Sequence, residues 1–131
     1  MGGRGASSGV SATKAHIKYG QEYHSVLEHK NIKFVIRNQG AGSAPLETMT
    51  PGRIYVTIGT DDEVNYISFY RRDGKKFKQI DVDHHQHAED GVPLGMRHVH
   101  MGYNHDENGS RKMTAGEARL VELVLKLWRN R

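Results

Sequence analysis

Cysteine is absent from this 131-residue sequence, and tryptophan, phenylalanine and proline are scarce. The absence of cysteine excludes disulfides, thiolate metal sites and a cysteine nucleophile, so any transition-metal site must be built from histidine, aspartate and glutamate. No apolar run approaches the ~20 residues of a membrane span, and the opening stretch MGGRGASSG lacks the apolar core of a secretory signal. We therefore expect a cytoplasmic protein with a small core and no membrane contact.

The charge of the chain is mildly basic. Its formal net charge is +4 and its pI is about 9.4. An excess of positive charge favours a polyanionic partner, and RNA is the partner that we expect.

The middle of the chain has the pattern of an antiparallel meander. Alternating apolar residues mark strands at 53–59, 64–72 and 76–83, joined by the turns TDDE and RDGK. A further strand is predicted within NIKFVIR, at residues 32–36.

The end of the chain has the pattern of an amphipathic helix. Thr114 and Glu117 have the spacing of a capping box, and apolar and charged residues then follow at helical intervals. The predicted fold class is α+β: a small twisted antiparallel sheet of four to five strands, with this C-terminal helix packed on it. Residues 1–14, rich in Gly and Ser, are expected to be a disordered tail, and 15–131 to form a single α+β domain.

Histidines are concentrated in one region of the sequence. Six of the nine fall between positions 84 and 105, in two groups separated by a Gly- and Pro-containing connection. The first group is D-x-D-x-H-x-H from residue 81, and the second is H-x-H from residue 98. Because side chains in a strand alternate between faces, each group would project from one side, and the two segments would be able to pair as neighbours.

One chemistry that suits this arrangement is general acid–base catalysis. Imidazoles titrate near neutral pH, so two facing histidines can deprotonate the 2′-hydroxyl of RNA and protonate the leaving 5′-oxygen. A cation or a hydroxyl donor would then stabilise the charge on phosphorus. The candidate catalytic residues are His84, His85, His87, His98, His100, His105, Arg97 and Tyr103.

The alternative chemistry is metal binding. Neutral imidazoles and carboxylates hold zinc or another divalent transition metal, and H-x-H on a strand is a suitable chelating pair. The candidate ligands are Asp81, Asp83, His85, His87, His98 and His100. In that case the chain would be a non-enzymatic accessory protein that uses the cluster to bind a metal or a protein partner, whereas the catalytic alternative requires no cofactor.

A basic run surrounds the turn just before the histidine cluster. It consists of Arg71, Arg72, Lys75, Lys76 and Lys78. Such a run is either a solvated hairpin or a footprint for the phosphate backbone of a nucleic acid, which would guide a substrate towards the histidines.

Several stretches in this order resemble small proteins encoded by phages and other mobile elements of Gram-positive bacteria. The stretches are GGRG, NIKFV (31–35), APLETMTPGRIYVT (44–57), KQIDVDH (78–84) and HVHMGYNH (98–105). More loosely, a basic residue followed by I-D-x-x-H, a Pro/Gly loop and H-x-H resembles the tails of bacterial polymorphic toxins of the barnase/EndoU/colicin/RelE-like ribonuclease class.

The resemblance to these toxins implies a helix packed on a small antiparallel sheet and metal-independent cleavage of RNA. It also implies a partner, either an immunity protein or another phage or host protein. It extends to Lys78, Asp81, His84, His98 and His100, whereas the proline that often precedes H-x-H in the toxins is replaced here by Met96-Arg97. The function predicted from the sequence is therefore a small metal-independent ribonuclease of toxin type.

Overall fold

The computed structural model describes residues 9–10, 22–38, 44–82, 98–103 and 109–131. Within these ranges the chain forms nine strands and one helix. The elements are β1 (Gly9–Val10), β2 (Tyr23–His29), β3 (Ile32–Arg37), β4 (Glu47–Thr48), β5 (Ile54–Ile58), β6 (Val64–Tyr70), β7 (Lys76–Asp81), β8 (His98–Met101), β9 (Ser110–Lys112) and α1 (Ala115–Arg129).

Seven of these strands form one mixed sheet in the order β2-β3-β5-β6-β7-β8-β9. The predicted meander is confirmed as β5-β6-β7, and the α+β class with a C-terminal helix is confirmed as well. The predicted count of four to five strands is too low, and the sheet is not purely antiparallel, because β3 and β5 pair in parallel. Residues 38–53 connect that pair, and parallel strands require a crossover of this length rather than a tight turn.

Two short strands pair outside the main sheet. Gly9–Val10 lie within the tail that the sequence predicts to be disordered, and they pair with Glu47–Thr48 of the crossover. The other residues of 1–14 lie outside the described ranges. The helix described here is not long and apolar enough to cross a membrane.

The main core lies between one face of the sheet and α1. Alternate residues of the central strands, among them Val56, Ile67 and Ile80, are fully buried beneath Val121 and Val124 of the helix. Each such side chain contributes roughly 1.5–3 kcal/mol when it is removed from water. The amphipathic pattern of the helix sequence is explained by this packing, since its charged stripe faces solvent.

The start of α1 is tied to the sheet by Glu117. Thr114 and Glu117 form the predicted capping box, with Glu117 N–H donating to Thr114 Oγ1 at 3.2 Å and Thr114 N–H donating to Glu117 Oε1 at 2.8 Å. The same carboxylate accepts hydrogen bonds from Arg111 of β9 and from Lys78 of β7, each at 2.8 Å. These bonds, led by those from Arg111, hold the pKa of Glu117 well below its usual range.

The opposite face of the sheet is covered in part by the crossover. A second cluster of buried residues on that face contains Tyr23, Val35, Tyr55 and Tyr70. The Tyr70 hydroxyl donates to the carbonyl oxygen of Pro45 at 2.6 Å, and burial raises the pKa of Tyr70 well above its ordinary value. Beyond these tyrosines, towards β7 and β8, the face becomes polar.

Replacing Glu117 with Gln should destabilise the fold by roughly 2–4 kcal/mol near neutral pH, because Arg111 and Lys78 would lose a nearly buried anionic partner. The folded-state pKa is depressed, so this stabilisation is present above the ordinary carboxyl pKa and is lost as pH falls below it. In denaturant unfolding, the difference in the free energy of unfolding between the unmodified protein and E117Q should therefore become smaller in acid. The matched control is E122Q, an exposed position on the same helix; equal destabilisation by the two variants would contradict this account.

Candidate active site

The pairing of β7 with β8 places Asp81, the first residue of the first predicted group, beside the two histidines of β8. The strands are antiparallel, with Gln79 opposite His100 and Asp81 opposite His98. The intervening residue Ile80 packs in the core beneath α1, so these four polar residues share the face that points away from the helix. Of the first predicted group only Asp81 lies in the described residues, and it pairs with His98 of the second group.

A chain of hydrogen bonds runs across this face. The Lys76 ammonium donates to Gln79 Oε1, and Gln79 Nε2 donates to Asp81 Oδ1 at 3.0 Å. The other carboxylate oxygen, Asp81 Oδ2, lies 2.9 Å from His100 Nε2. Because an ionised carboxylate can only accept, Nε2 of His100 carries a proton and donates it in this bond. The network fixes both the orientation of the Gln79 amide and the orientation of the His100 ring.

Lys76 begins this network from a buried position. The residue is only 7% exposed, and burial lowers the pKa of its amine to about 8, against a smaller opposing effect of the Asp81 carboxylate. Its hydrogen-bond partner among the described residues is a neutral amide rather than an anion. A cation buried beside a neutral partner is costly for folding, and such residues are concentrated at functional sites.

The two histidines of β8 lie side by side above the network. Their ring centroids are 6.2 Å apart and the ring planes differ by 27°. The imidazole of His98 is half-buried and forms no hydrogen bond with any residue in the described ranges, whereas that of His100 is held by Asp81. The two imidazoles therefore differ in electrostatic environment although they share one face.

A third polar strand borders the histidines. Lys112 of β9 lies opposite His98, and Ser110 lies opposite His100. Both are exposed, so Lys112 places an accessible cation next to the His98 side of the site.

Asp81 and His100 lie at hydrogen-bonding distance from each other. Their 2.9 Å separation matches a charge-assisted hydrogen bond. In the part of the chain that the structure describes, no group of three or more His, Asp or Glu residues could hold a metal ion. Three of the six predicted ligands, Asp83, His85 and His87, lie outside the described residues.

Of the predicted catalytic residues, only His98, His100 and Tyr103 lie in the described ranges. His84, Arg97 and His105 lie outside the described residues. The Tyr103 hydroxyl, predicted to stabilise phosphate charge, donates to Glu47 Oε2 at 2.6 Å.

The predicted basic footprint is divided by the fold. Arg71, Arg72 and Lys75 are exposed in or beside the β6–β7 turn, and Arg71 is paired with Asp73 at 3.0 Å. Lys76 is buried in the polar network. Lys78 lies on the helix side of the sheet, where its amine is 4.3 Å from the centroid of the Phe69 ring and bonded to Glu117. Lys78 therefore contributes to the fold and is not on the face that carries the histidines.

Gln79, which connects Lys76 to Asp81, is not among the site residues predicted from the sequence. The signal was present in the strand pattern, because Gln79 is two residues before Asp81 and shares its face. Comparisons of this chain with known protein families, with curated proteins and with solved structures found no match. The function is therefore argued from the site alone.

The buried amine of Lys76 should make the stability of the protein depend on pH. Between about pH 8 and the ordinary lysine pKa, the unfolded chain binds a proton that the folded chain has lost, so stability rises with pH. Relative to K76M, the free energy of unfolding of the unmodified protein should increase by up to roughly 3 kcal/mol from about pH 7 to about pH 10. Denaturant unfolding across that range measures the difference.

The matched control for this experiment is K75M, since Lys75 is the exposed neighbour of Lys76. The rise in the free energy of unfolding between about pH 7 and about pH 10, relative to the variant, should be larger for K76M than for K75M. A rise for K76M no larger than that for K75M would show that the Lys76 amine is not perturbed by burial.

Proposed function

We propose that this protein is a metal-independent ribonuclease in which His98 and His100 carry the proton transfers. The observation that supports the proposal is the pair of imidazoles on one polar sheet face, of which His100 but not His98 is held by a carboxylate of the described residues. Two such groups, each within hydrogen-bond reach of a different oxygen of one phosphodiester, provide the base and the acid that RNA cleavage requires.

The difference between the two environments assigns the roles. The hydrogen bond to Asp81 fixes the orientation of the His100 ring, which suits the group that must deliver a proton to the leaving oxygen. His98 has no carboxylate partner in the described ranges and suits the group that must accept one. His98 removes the proton of the 2′-hydroxyl, the 2′-oxygen attacks phosphorus, and the bond from phosphorus to the 5′-oxygen breaks. His100 protonates that oxygen, so the products are a 2′,3′-cyclic phosphate and a free 5′-hydroxyl.

The charge that develops on the phosphoryl oxygens requires a cation nearby. Lys112 is directly opposite His98 across the β8–β9 pair and is exposed to solvent. Its ammonium can approach a phosphate bound over the histidines, where electrostatic stabilisation of the transition state is most effective. The net charge of +4 favours capture of the polyanionic substrate.

Cleavage of an RNA oligonucleotide should persist in EDTA and should fall about 10²- to 10⁴-fold in H98A and in H100A, because each variant lacks one proton-transfer group. Gel analysis of end-labelled RNA measures the rate and identifies the cyclic phosphate. H24A is the matched control, since His24 is exposed on β2 at the far edge of the sheet. Its rate should equal that of the unmodified protein.

Other outcomes would favour the alternatives. Activity that EDTA abolishes and zinc restores would contradict metal independence and support a metal site formed by the histidine region. RNA left intact by the pure protein, with or without metal, would overturn the ribonuclease proposal and favour the non-enzymatic accessory protein.

A further inference from the structure

A cavity lies at the end of the sheet where β7 begins and β8 ends. Its volume is about 370 Å³, which is within the range for small-molecule sites. The wall combines aromatic rings, a glycine and three cationic side chains. The lining residues are Arg71, Lys75, Lys76, Phe77, Met101, Gly102 and Tyr103.

We propose that this cavity binds one unpaired nucleotide of an RNA strand, with the base against Phe77 and Tyr103 and the phosphate near Lys75 and Arg71. The proposal rests on the proposed function in that it places this nucleotide next to the cleaved bond. Binding in this cavity also defines the substrate class, because a base that contacts the protein rings cannot at the same time be stacked and paired in a duplex. Single-stranded RNA is therefore the substrate.

The cations of the cavity are available to a phosphate. Arg71 is paired with Asp73, but both side chains are about half exposed, and exposed pairs of this kind contribute little stability. The ammonium of Lys75 lies 5.7 Å from the centroid of the Tyr103 ring. One cation is thus held beside the aromatic wall, as recognition of a base and its phosphate requires.

The wall of the cavity is held in place without a ligand. Tyr103 donates its hydroxyl proton to Glu47, and the Gly102 N–H donates to the carbonyl oxygen of Phe77 at 2.7 Å. The turn that carries Arg71 packs closely on the crossover: Gly74 has a φ of +88°, and a Cβ there would lie 2.4 Å from the carbonyl oxygen of Thr48. A preformed wall reduces the entropic cost of binding.

The cavity is connected to the candidate active site. Lys76 lines the cavity and also begins the hydrogen-bond network that reaches His100 through Gln79 and Asp81. Along the chain, the cavity residues Gly102 and Tyr103 follow His100 by two and three positions. A nucleotide bound in the cavity is therefore adjacent to a phosphate positioned over the histidines.

Calorimetric titration of the unmodified protein with uridine and adenosine 5′-monophosphates tests the cavity. These probes contain no phosphodiester, so binding is measured whether or not the protein cleaves RNA. Each mononucleotide should bind about tenfold or more tightly than inorganic phosphate or the corresponding nucleoside, because base and phosphate contacts are both required. Backbone amide shifts should be largest at residues 75–77 and 102–103.

Variants separate the two contacts. K75Q and Y103A should each weaken mononucleotide binding about tenfold, whereas Y103F, which keeps the ring and loses only the hydrogen bond to Glu47, should weaken it less than Y103A does. K126Q, an exposed lysine on α1, is the matched control and should have no effect. Unchanged binding in K75Q, or equal affinity for phosphate alone, would overturn the proposal even if RNA is cleaved.

Competition distinguishes the substrate classes. A single-stranded RNA oligonucleotide should displace the mononucleotide about tenfold more effectively than a duplex of the same length. A duplex that competes equally well would overturn the inference of an unpaired nucleotide. Binding of the mononucleotide by a protein that does not cleave RNA would support the cavity and contradict only the proposed function.

Discussion

The alternation of side chains along β7 is the constraint on which both the fold and the candidate site depend. Ile80 is fully buried beneath α1, while Gln79 and Asp81 point to the opposite face. A shift of one residue in register would place the core residue in the polar network and the network residues in the core. The packing of Ile80 therefore fixes which side chains can meet the histidines of β8.

Contacts on the helix side reinforce this register. Lys78 shares the face of Ile80 and bonds to Glu117, which is also bonded to Arg111 of β9. One carboxylate thus joins the first turn of the helix to the two strands that flank β8. Because β8 carries His98 and His100 between those strands, the same node that begins the helix also holds the histidines in position. The Glu117 carboxylate therefore supports both the fold and the position of the site.

The features that the sequence predicted correctly are those set by local chemistry. The capping box depends on residues three apart, the meander on alternation and short turns, and the H-x-H face on a period of two. The parallel pairing of β3 with β5 was missed, because it depends on how residues 38–53 cross the sheet rather than on either strand. Strand β9 was not predicted, and the sequence pattern up to Glu28, where β2 lies, is compatible with either a helix or a strand, which explains the low strand count.

The positions of the lysines near the site also could not be predicted from local sequence. Lys75, Lys76 and Lys78 form one basic run in the sequence, yet the structure places the first at the surface, the second in the polar network and the third under the helix. Lys76 and Lys78 are two residues apart and would share a face in a regular strand, but the irregularity in register between the pairs Phe69–Lys78 and Tyr70–Lys76 allows them to lie on opposite faces. Identical side chains in one run therefore acquire three different roles, and only the tertiary structure assigns them.

Lys33 and Lys76 are both buried, but their amines meet different partners. Lys33 is as buried as Lys76, but its amine lies 2.8 Å from the carboxylate of Glu28, so its charge has a direct counterion. The amine of Lys76 instead meets the neutral amide of Gln79, and its pKa is lowered to about 8. Burial of the Lys76 amine against a neutral partner destabilises the fold. In return, the Nε2 atom of the same Gln79 amide donates to Asp81 and orders its carboxylate. The Lys76–Gln79–Asp81 chain is thus better explained by the orientation of His100 than by the stability of the sheet.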